Sequence, residues 1–110
     1  MSLVIKNDNI IGTIYFNNIN FFNKKAFIGI YKNPFNTMSR GKDLIYSIKK
    51  VAFEYLELNQ IVAEVLSKNI NAIEFYKKHG FIYLSSEKKY NKFYNGYDDI
   101  EIFVFNKEFL

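Results

Sequence analysis

Few residues in this chain are equipped for chemistry. Cysteine is absent from its 110 residues, which excludes thiol nucleophiles, thiolate metal sites and disulfides. The single histidine, His79, rules out a histidine ligand cluster, and the eleven Asp and Glu residues are scattered, so no bound metal is expected. What stands out is a run around Asn69, Ala72, Ile73 and Tyr76. Asn69 comes where a β-rich stretch ends, and its amide can both donate and accept hydrogen bonds. Ala72, Ile73 and Tyr76 then share one face of a short helix. The same spacing also suits a core tyrosine with Asn69 or Asn71 as a simple N-cap. His79 titrates near neutrality but sits in the last helical turn beside Gly80, and it reads as structural. Asp98 and Asp99 read as turn residues, and Glu64 as a polar member of an alternating strand.

In full, this run is Asn69-Ile70-Asn71-Ala72-Ile73-Glu74-Phe75-Tyr76-Lys77-Lys78-His79-Gly80-Phe81. It closely resembles the Asn-x-x-Ala-Ile-x-Leu/Phe-Tyr-x-Lys-x-Gly-Phe signature of GNAT N-acetyltransferases. The resemblance implies that Asn69 and Ala72 help hold coenzyme A and that Tyr76 lies near its sulfur, as acid or hydrogen-bond donor. In that family the loop before the long central helix reads Gln/Arg-x-x-Gly-x-Gly/Ala, and its backbone N–H groups cradle a pyrophosphate. The corresponding stretch here is Asn36-Thr37-Met38-Ser39-Arg40-Gly41. Gly41 matches the last position, while Asn36 and Ser39 replace the first two landmarks. Backbone N–H contacts survive such replacements. Arg40 and Lys42 can add charge-assisted contacts to phosphate, and Asp43 completes the implied cradle.

The resemblance further implies direct transfer of an acetyl group from acetyl-coenzyme A to an amine, without a covalent enzyme intermediate. The lack of cysteine agrees with that route. A free main-chain edge along residues 27–31, around Ile28, Gly29 and Ile30, would pair with the pantetheine arm. Gly29 either permits a close approach there or packs against a helix. Many relatives carry a basic glutamate on this strand where Phe27 stands, and Glu64 on the next strand is the available substitute, through water. The segment from Val51 to Phe81 is similar to bacterial amino-sugar acetyltransferases, and Tyr94 to Glu101 to a hairpin of ribosomal-protein and polyamine acetyltransferases. An amino-sugar nucleotide is therefore the leading acceptor, ahead of a polyamine or a protein N-terminus. A non-catalytic or partial acetyl-coenzyme A binder is the second reading. The family's opening strand and first two helices have no counterpart, so residues 1–110 are expected to be one N-terminally truncated domain of this kind.

The elements that must position these residues follow from hydrophobic period. Strands are predicted over 3–6, 10–16, 25–31, 60–66, 81–84 and 100–105, with a polar link over 17–24. The recurrence of Leu44, Ile45, Ile48, Val51, Ala52, Tyr55 and Leu56 predicts a long amphipathic helix, and 71–79 a second, ended by Gly80. Asn95-Gly96 is a hairpin turn signal. The order β-β-β-α-β-α-β-β predicts a mixed α/β sheet, parallel in its middle, with helices on its faces.

Composition excludes other classes. No apolar stretch is long enough to span a bilayer, and Met1 to Lys6 lacks a signal-peptide layout, so a cytoplasmic protein with no membrane partner is expected. A net charge of +4 with 19% aromatic residues raises nucleic-acid binding, but the aromatics fall at core-like positions with no basic stripe between them, so none is expected. An incomplete sheet edge makes homodimerisation possible.

Overall fold

The computed structural model describes residues 1–7, 9–35 and 41–110. Six strands form one sheet: β1 (Ser2–Asn7), β2 (Asn9–Asn20), β3 (Lys25–Lys32), β4 (Gln60–Leu66), β5 (Ile82–Asn91) and β6 (Gly96–Asn106). Their spatial order is β1-β2-β3-β4-β6-β5, and only β3 and β4 run parallel. Helix α1 (Gly41–Lys50) makes the crossover between that pair, and α2 (Ile70–Lys78) leads from β4 to β5.

Period-two alternation sorts the sheet into two unequal faces. Ile14, Phe16, Ala26, Ile28, Ile61, Ala63, Val65, Phe103 and Phe105 are buried in one cluster with Leu44, Ile45 and Ile48 of α1 and Tyr76 of α2. Both helices therefore lie on one face, which corrects the expectation of helices on both. The other face carries a smaller cluster of Val62, Ile100, Ile102 and Val104 with Phe27 beside it.

Four element boundaries depart from the sequence reading: β6 begins at Gly96, four residues before the expected start, and the other three have local reasons. The predicted link over 17–24 is half strand, because Asn18 takes a left-handed φ of 50° and absorbs a bulge without ending β2. The single long helix is a ten-residue α-helix that widens into a π turn over Val51–Tyr55. The wider turn, with Leu56 N–H donating to the Val51 carbonyl at 2.9 Å, keeps Ala52 and Phe53 on the core. β5 runs on through Ser-Ser-Glu-Lys-Lys, a polar edge sequence in which no alternation marks a strand.

Gly80 does end α2, one position beyond the cap residue His79. It takes a φ of +88° while its N–H reaches the Lys77 carbonyl and Phe81 N–H reaches that of Tyr76 at 3.0 Å. These two bonds are a Schellman closure, and they seat Phe81 in the core against the Tyr76 ring.

Candidate functional site

The parallel ladder is short. It joins Lys25–Ile28 to Gln60–Ala63 and stops, although β3 continues to Lys32 and β4 to Leu66. Beyond that point each strand follows its antiparallel neighbour: Gly29 to Lys32 stay with β2, and Glu64 to Leu66 with β6. Strand twist separates the two pairs, so the sheet opens as a fork. The free main-chain edge is thus shorter than expected. Ala26, Phe27 and Ile28 are engaged, and the unpaired stretch begins at Gly29, just past the apex.

Gly29 does not pack against a helix; its missing side chain makes room within the sheet. Tyr15, directly opposite on β2, lies across it, so that an added Cβ would sit 1.8 Å from the Tyr15 Cζ. The Tyr31 ring stands 5.7 Å from that of Tyr15. Burial, then the neighbouring Tyr31 phenol, raises the Tyr15 pKa above its usual value.

Tyr76 lies on the helix-covered side, with its ring enclosed by Phe75 at 5.4 Å and Phe81 at 5.0 Å between centroids. Burial, with a smaller contribution from the Tyr15 phenol, pushes its pKa up to about 12. No hydrogen bond joins its hydroxyl to another described residue, yet no buried side-chain polar atom lacks a partner among them. The oxygen therefore reaches accessible space. A buried ring holding an open, protonated hydroxyl can donate a hydrogen bond or a proton near neutrality and cannot act as a base.

At the open end of the fork, α1 begins against α2. A Cβ on Gly41 would meet Phe75 Cε1 at 2.7 Å and the end of the Lys32 side chain at 3.3 Å. Gly41 is thus required for the close approach of α1, whose first residue lies beside the end of the Lys32 side chain. The Lys32 ammonium also lies 5.6 Å from the Phe75 ring centre. A helix N-terminus with a lysine beside it suits an anion. Lys32 was missed in the sequence reading, although alternation places it with Ala26, Ile28 and Ile30 on the helix side. Lys42 is exposed and Asp43 half-buried in the first turn of α1. Asn36, Ser39 and Arg40 fall outside the described residues.

Asn69 is an N-cap, with Oδ1 accepting from Ala72 N–H at 3.2 Å, and Ala72 packs on the main core. The loop before it is braced by β6. Ser67 N–H donates to the Asp99 carbonyl at 2.9 Å, and Ser67 Oγ to Glu101 at 2.9 Å. Glu101 also accepts from Ser86. Hydrogen bonds from Ser86 and Ser67, with Tyr83 contributing less, hold the Glu101 carboxyl below the usual range.

Glu64 is not brought together with Tyr76. It lies on the helix-free face, ion-paired with Lys89. There it lines a groove of about 260 Å³ floored by Phe27, Val62, Ile102 and Val104. His79 packs on Phe75 at 4.6 Å, and its carbonyl accepts from the Lys49 ammonium at 2.9 Å. Burial, then Lys49, Lys78 and Lys42, lowers its pKa. Among the described residues no group of three His, Cys, Asp or Glu side chains is placed to hold a metal, and no helix is long and apolar enough to cross a membrane.

Residues 2–101 match the family described as the acetyltransferase (GNAT) domain. Over 88 residues, 80% of this chain and 54% of the other, the sequence is 34% identical to the acetyltransferase PseH of Campylobacter jejuni. The chain thus spans about half the length of the curated relatives it matches. A crystal structure of Campylobacter jejuni N-acetyltransferase PseH in complex with acetyl coenzyme A superposes with a TM-score of 0.77 at 28% identity, covering 94% of this chain and 64% of that one. A dodecameric spermidine N-acetyltransferase from Vibrio cholerae superposes at 0.83 with 21% identity, covering 97% and 64%, and shows the shared fold.

Proposed function

From the premise that the chain belongs to the GNAT acetyltransferase family, we propose that it binds acetyl-coenzyme A in the fork between β3 and β4 and transfers the acetyl group directly to a primary amine. The observation that carries this is the early end of the parallel ladder beside an open Tyr76 hydroxyl. In this reading, main-chain groups from Gly29 and Ile30 pair with the pantetheine arm, and Ile28 marks the apex. The α1 N-terminus at Gly41, Lys42 and Asp43, with Lys32 and the preceding Asn36, Ser39 and Arg40, faces the phosphates. Asn69 and Ala72 line the α2 side.

The amine lone pair attacks the thioester carbonyl, the carbon–sulfur bond breaks, and Tyr76 supplies a hydrogen bond or proton to the departing thiolate. The amine's surplus proton leaves towards the helix-free face, through water to Glu64 once Lys89 releases it. The leading acceptor is an amino-sugar nucleotide, because the relatives at 33% and 34% identity are PseH proteins and the polyamine enzymes share only the fold at 21–22%. The proposed setting is the cytoplasm. The second reading is a non-catalytic acetyl-coenzyme A binder, favoured by the Glu64–Lys89 pair.

Calorimetric titration with acetyl-coenzyme A, with 3′-dephospho-coenzyme A alongside, tests the site, and a screen of amino-sugar nucleotides, spermidine and peptide N-termini tests the acceptor. Saturable one-to-one binding followed by acetylation of the amino sugar is the expected result. Binding without turnover on any amine selects the second reading, and no binding by a folded sample overturns both.

A further inference from the structure

The proposed chemistry leaves one hydroxyl at the apex of the fork unused. Ile14 and Phe16 are buried under the helices, so Tyr15 between them points to the helix-free face. There it folds over Gly29, its partner in the ladder and the first residue of β3 past the parallel pairing. A Cβ on Gly29 would lie 2.0 Å from the Tyr15 hydroxyl oxygen. That oxygen therefore fills the volume which the glycine leaves empty beside the free edge. No hydrogen bond joins it to another described residue, and its ring is steadied by Tyr31 at 5.7 Å. With its pKa raised by burial and then by Tyr31, the phenol keeps its proton near neutrality, a donor and not a base. The same phenol helps to raise the pKa of Tyr76. The two hydroxyls are thus within electrostatic reach of one another, although their rings come from opposite faces of the sheet.

We infer that Tyr15 is a second catalytic hydroxyl, which donates a hydrogen bond to the thioester carbonyl oxygen of acetyl-coenzyme A while Tyr76 serves the sulfur. This role rests on the proposed function and adds a group to it. Phosphates facing Gly41 and Lys32 set the far end of the pantetheine arm, so the thioester at its near end lies at the apex, beside Gly29. No side chain there screens the main-chain edge from the Tyr15 oxygen. As the amine attacks, the carbon–nitrogen bond forms and the carbonyl π pair moves onto oxygen. A donor already in place stabilises that charge more in the transition state than in the ground state. The pair then returns, the carbon–sulfur bond breaks, and the thiolate takes its hydrogen bond or proton from Tyr76. The surplus amine proton leaves through water as above, and Tyr15 keeps its own throughout. Two donors from opposite faces thus divide the reacting group between them, one at oxygen and one at sulfur.

Tyr15→Phe is the test, because the ring keeps its place over Gly29 and beside Tyr31 and only the hydroxyl goes. Isotope-edited infrared spectroscopy of acetyl-coenzyme A labelled at the carbonyl carbon reads the hydrogen bond without any acceptor. The expected result is a carbonyl stretch that falls in frequency on binding to the wild-type chain. Tyr15→Phe should return it towards the value of free acetyl-coenzyme A, while Tyr76→Phe should leave it lowered. Affinity for coenzyme A, which lacks the carbonyl, should be the same in Tyr15→Phe by calorimetry. Turnover should drop about 10- to 100-fold, with KM for the amine selected by the acceptor screen unchanged. Circular dichroism confirms that each variant is folded. A wild-type stretch that does not fall, one that Tyr15→Phe leaves low, or unchanged turnover overturns this role and leaves the proposed function standing. A folded chain that binds no acetyl-coenzyme A, or binds it and acetylates no amine in the screen, overturns both.

Discussion

Replacing Gly29 with alanine isolates the packing that shapes the fork. The added methyl would lie 1.8 Å from Tyr15 Cζ and 2.0 Å from its hydroxyl oxygen, roughly 1.6 Å inside ordinary contact. β3 has no room to retreat along the ladder, because Tyr15 and Gly29 are direct partners in it. The ring must leave its rotamer. That forfeits the contact with Tyr31, worth about 0.5–1.5 kcal/mol, and adds overpacking strain of about 1–3 kcal/mol. A total near 2–4 kcal/mol is expected from urea unfolding of Gly29→Ala. In the Tyr15→Ala background the clash is gone, and the same change should be neutral or slightly stabilising, since alanine restricts the unfolded chain more than glycine does. The four-protein cycle should therefore show a coupling of about 2 kcal/mol or more. A displaced Tyr15 also borders the opening, so acetyl-coenzyme A should bind Gly29→Ala more weakly. A loss below about 0.5 kcal/mol, or additive single effects, would refute the account of Gly29 given above.

Tyr76→Phe removes a hydroxyl with no partner among the described residues, so the melting temperature should barely change. Turnover should fall about 10- to 100-fold through loss of a hydrogen bond to a developing thiolate, with acetyl-coenzyme A affinity unchanged by calorimetry. Lys32→Ala should weaken that affinity several-fold and flatten its salt dependence, which titration at two ionic strengths would reveal. His79 has its pKa lowered in the folded state, so the unfolded chain binds the proton more readily, and acid destabilises the fold as pH falls through about 6.5. His79→Gln should reduce that acid sensitivity in unfolding curves measured between pH 5 and 7.5. Glu101→Gln weakens the bonds from Ser67 and Ser86, and should speed amide exchange at Ser67 and Asn69 while leaving the α1 core protected.

Much of this architecture could be read from the chain, and the failures have physical causes. Strand β4 was bounded correctly because Ile61, Ala63 and Val65 alternate against Glu64 and end at turn residues. Gly80 as the stop of α2 followed from its freedom to take a positive φ. β5 was cut short because an edge strand facing water on both sides carries no hydrophobic period. The bulge at Asn18 was read as a link, since asparagine signals turns and bulges alike. In the candidate site, the signature run draws attention to Tyr76 and Asn69, and the sequence offers Asn69 or Asn71 as the cap, a choice that backbone geometry settles for Asn69. Lys32 was overlooked because it follows Tyr31, where the expected strand ended. That Glu64 and Tyr76 occupy opposite faces needed the three-dimensional packing of α2. The Tyr15–Gly29 contact, between residues fourteen apart and facing one another only after the β2–β3 register is set, has no one-dimensional signature.

The position of β6 between β4 and β5 bears on how the chain reaches this structure. β1 to β3 can assemble from consecutive hairpins as soon as they emerge from the ribosome. β4 has no such option on one side, because its neighbour there is β6, made only after β5, with Gln60 opposite Asn106. Until residue 106 is free, the apolar inner edge of β4 stands open. The slow step of folding should accordingly be the insertion of β6, a loop-closure event of long sequence separation. Destabilising changes at Phe103 or Phe105 should then slow refolding, and comparable changes at Ile14 should act mainly on unfolding.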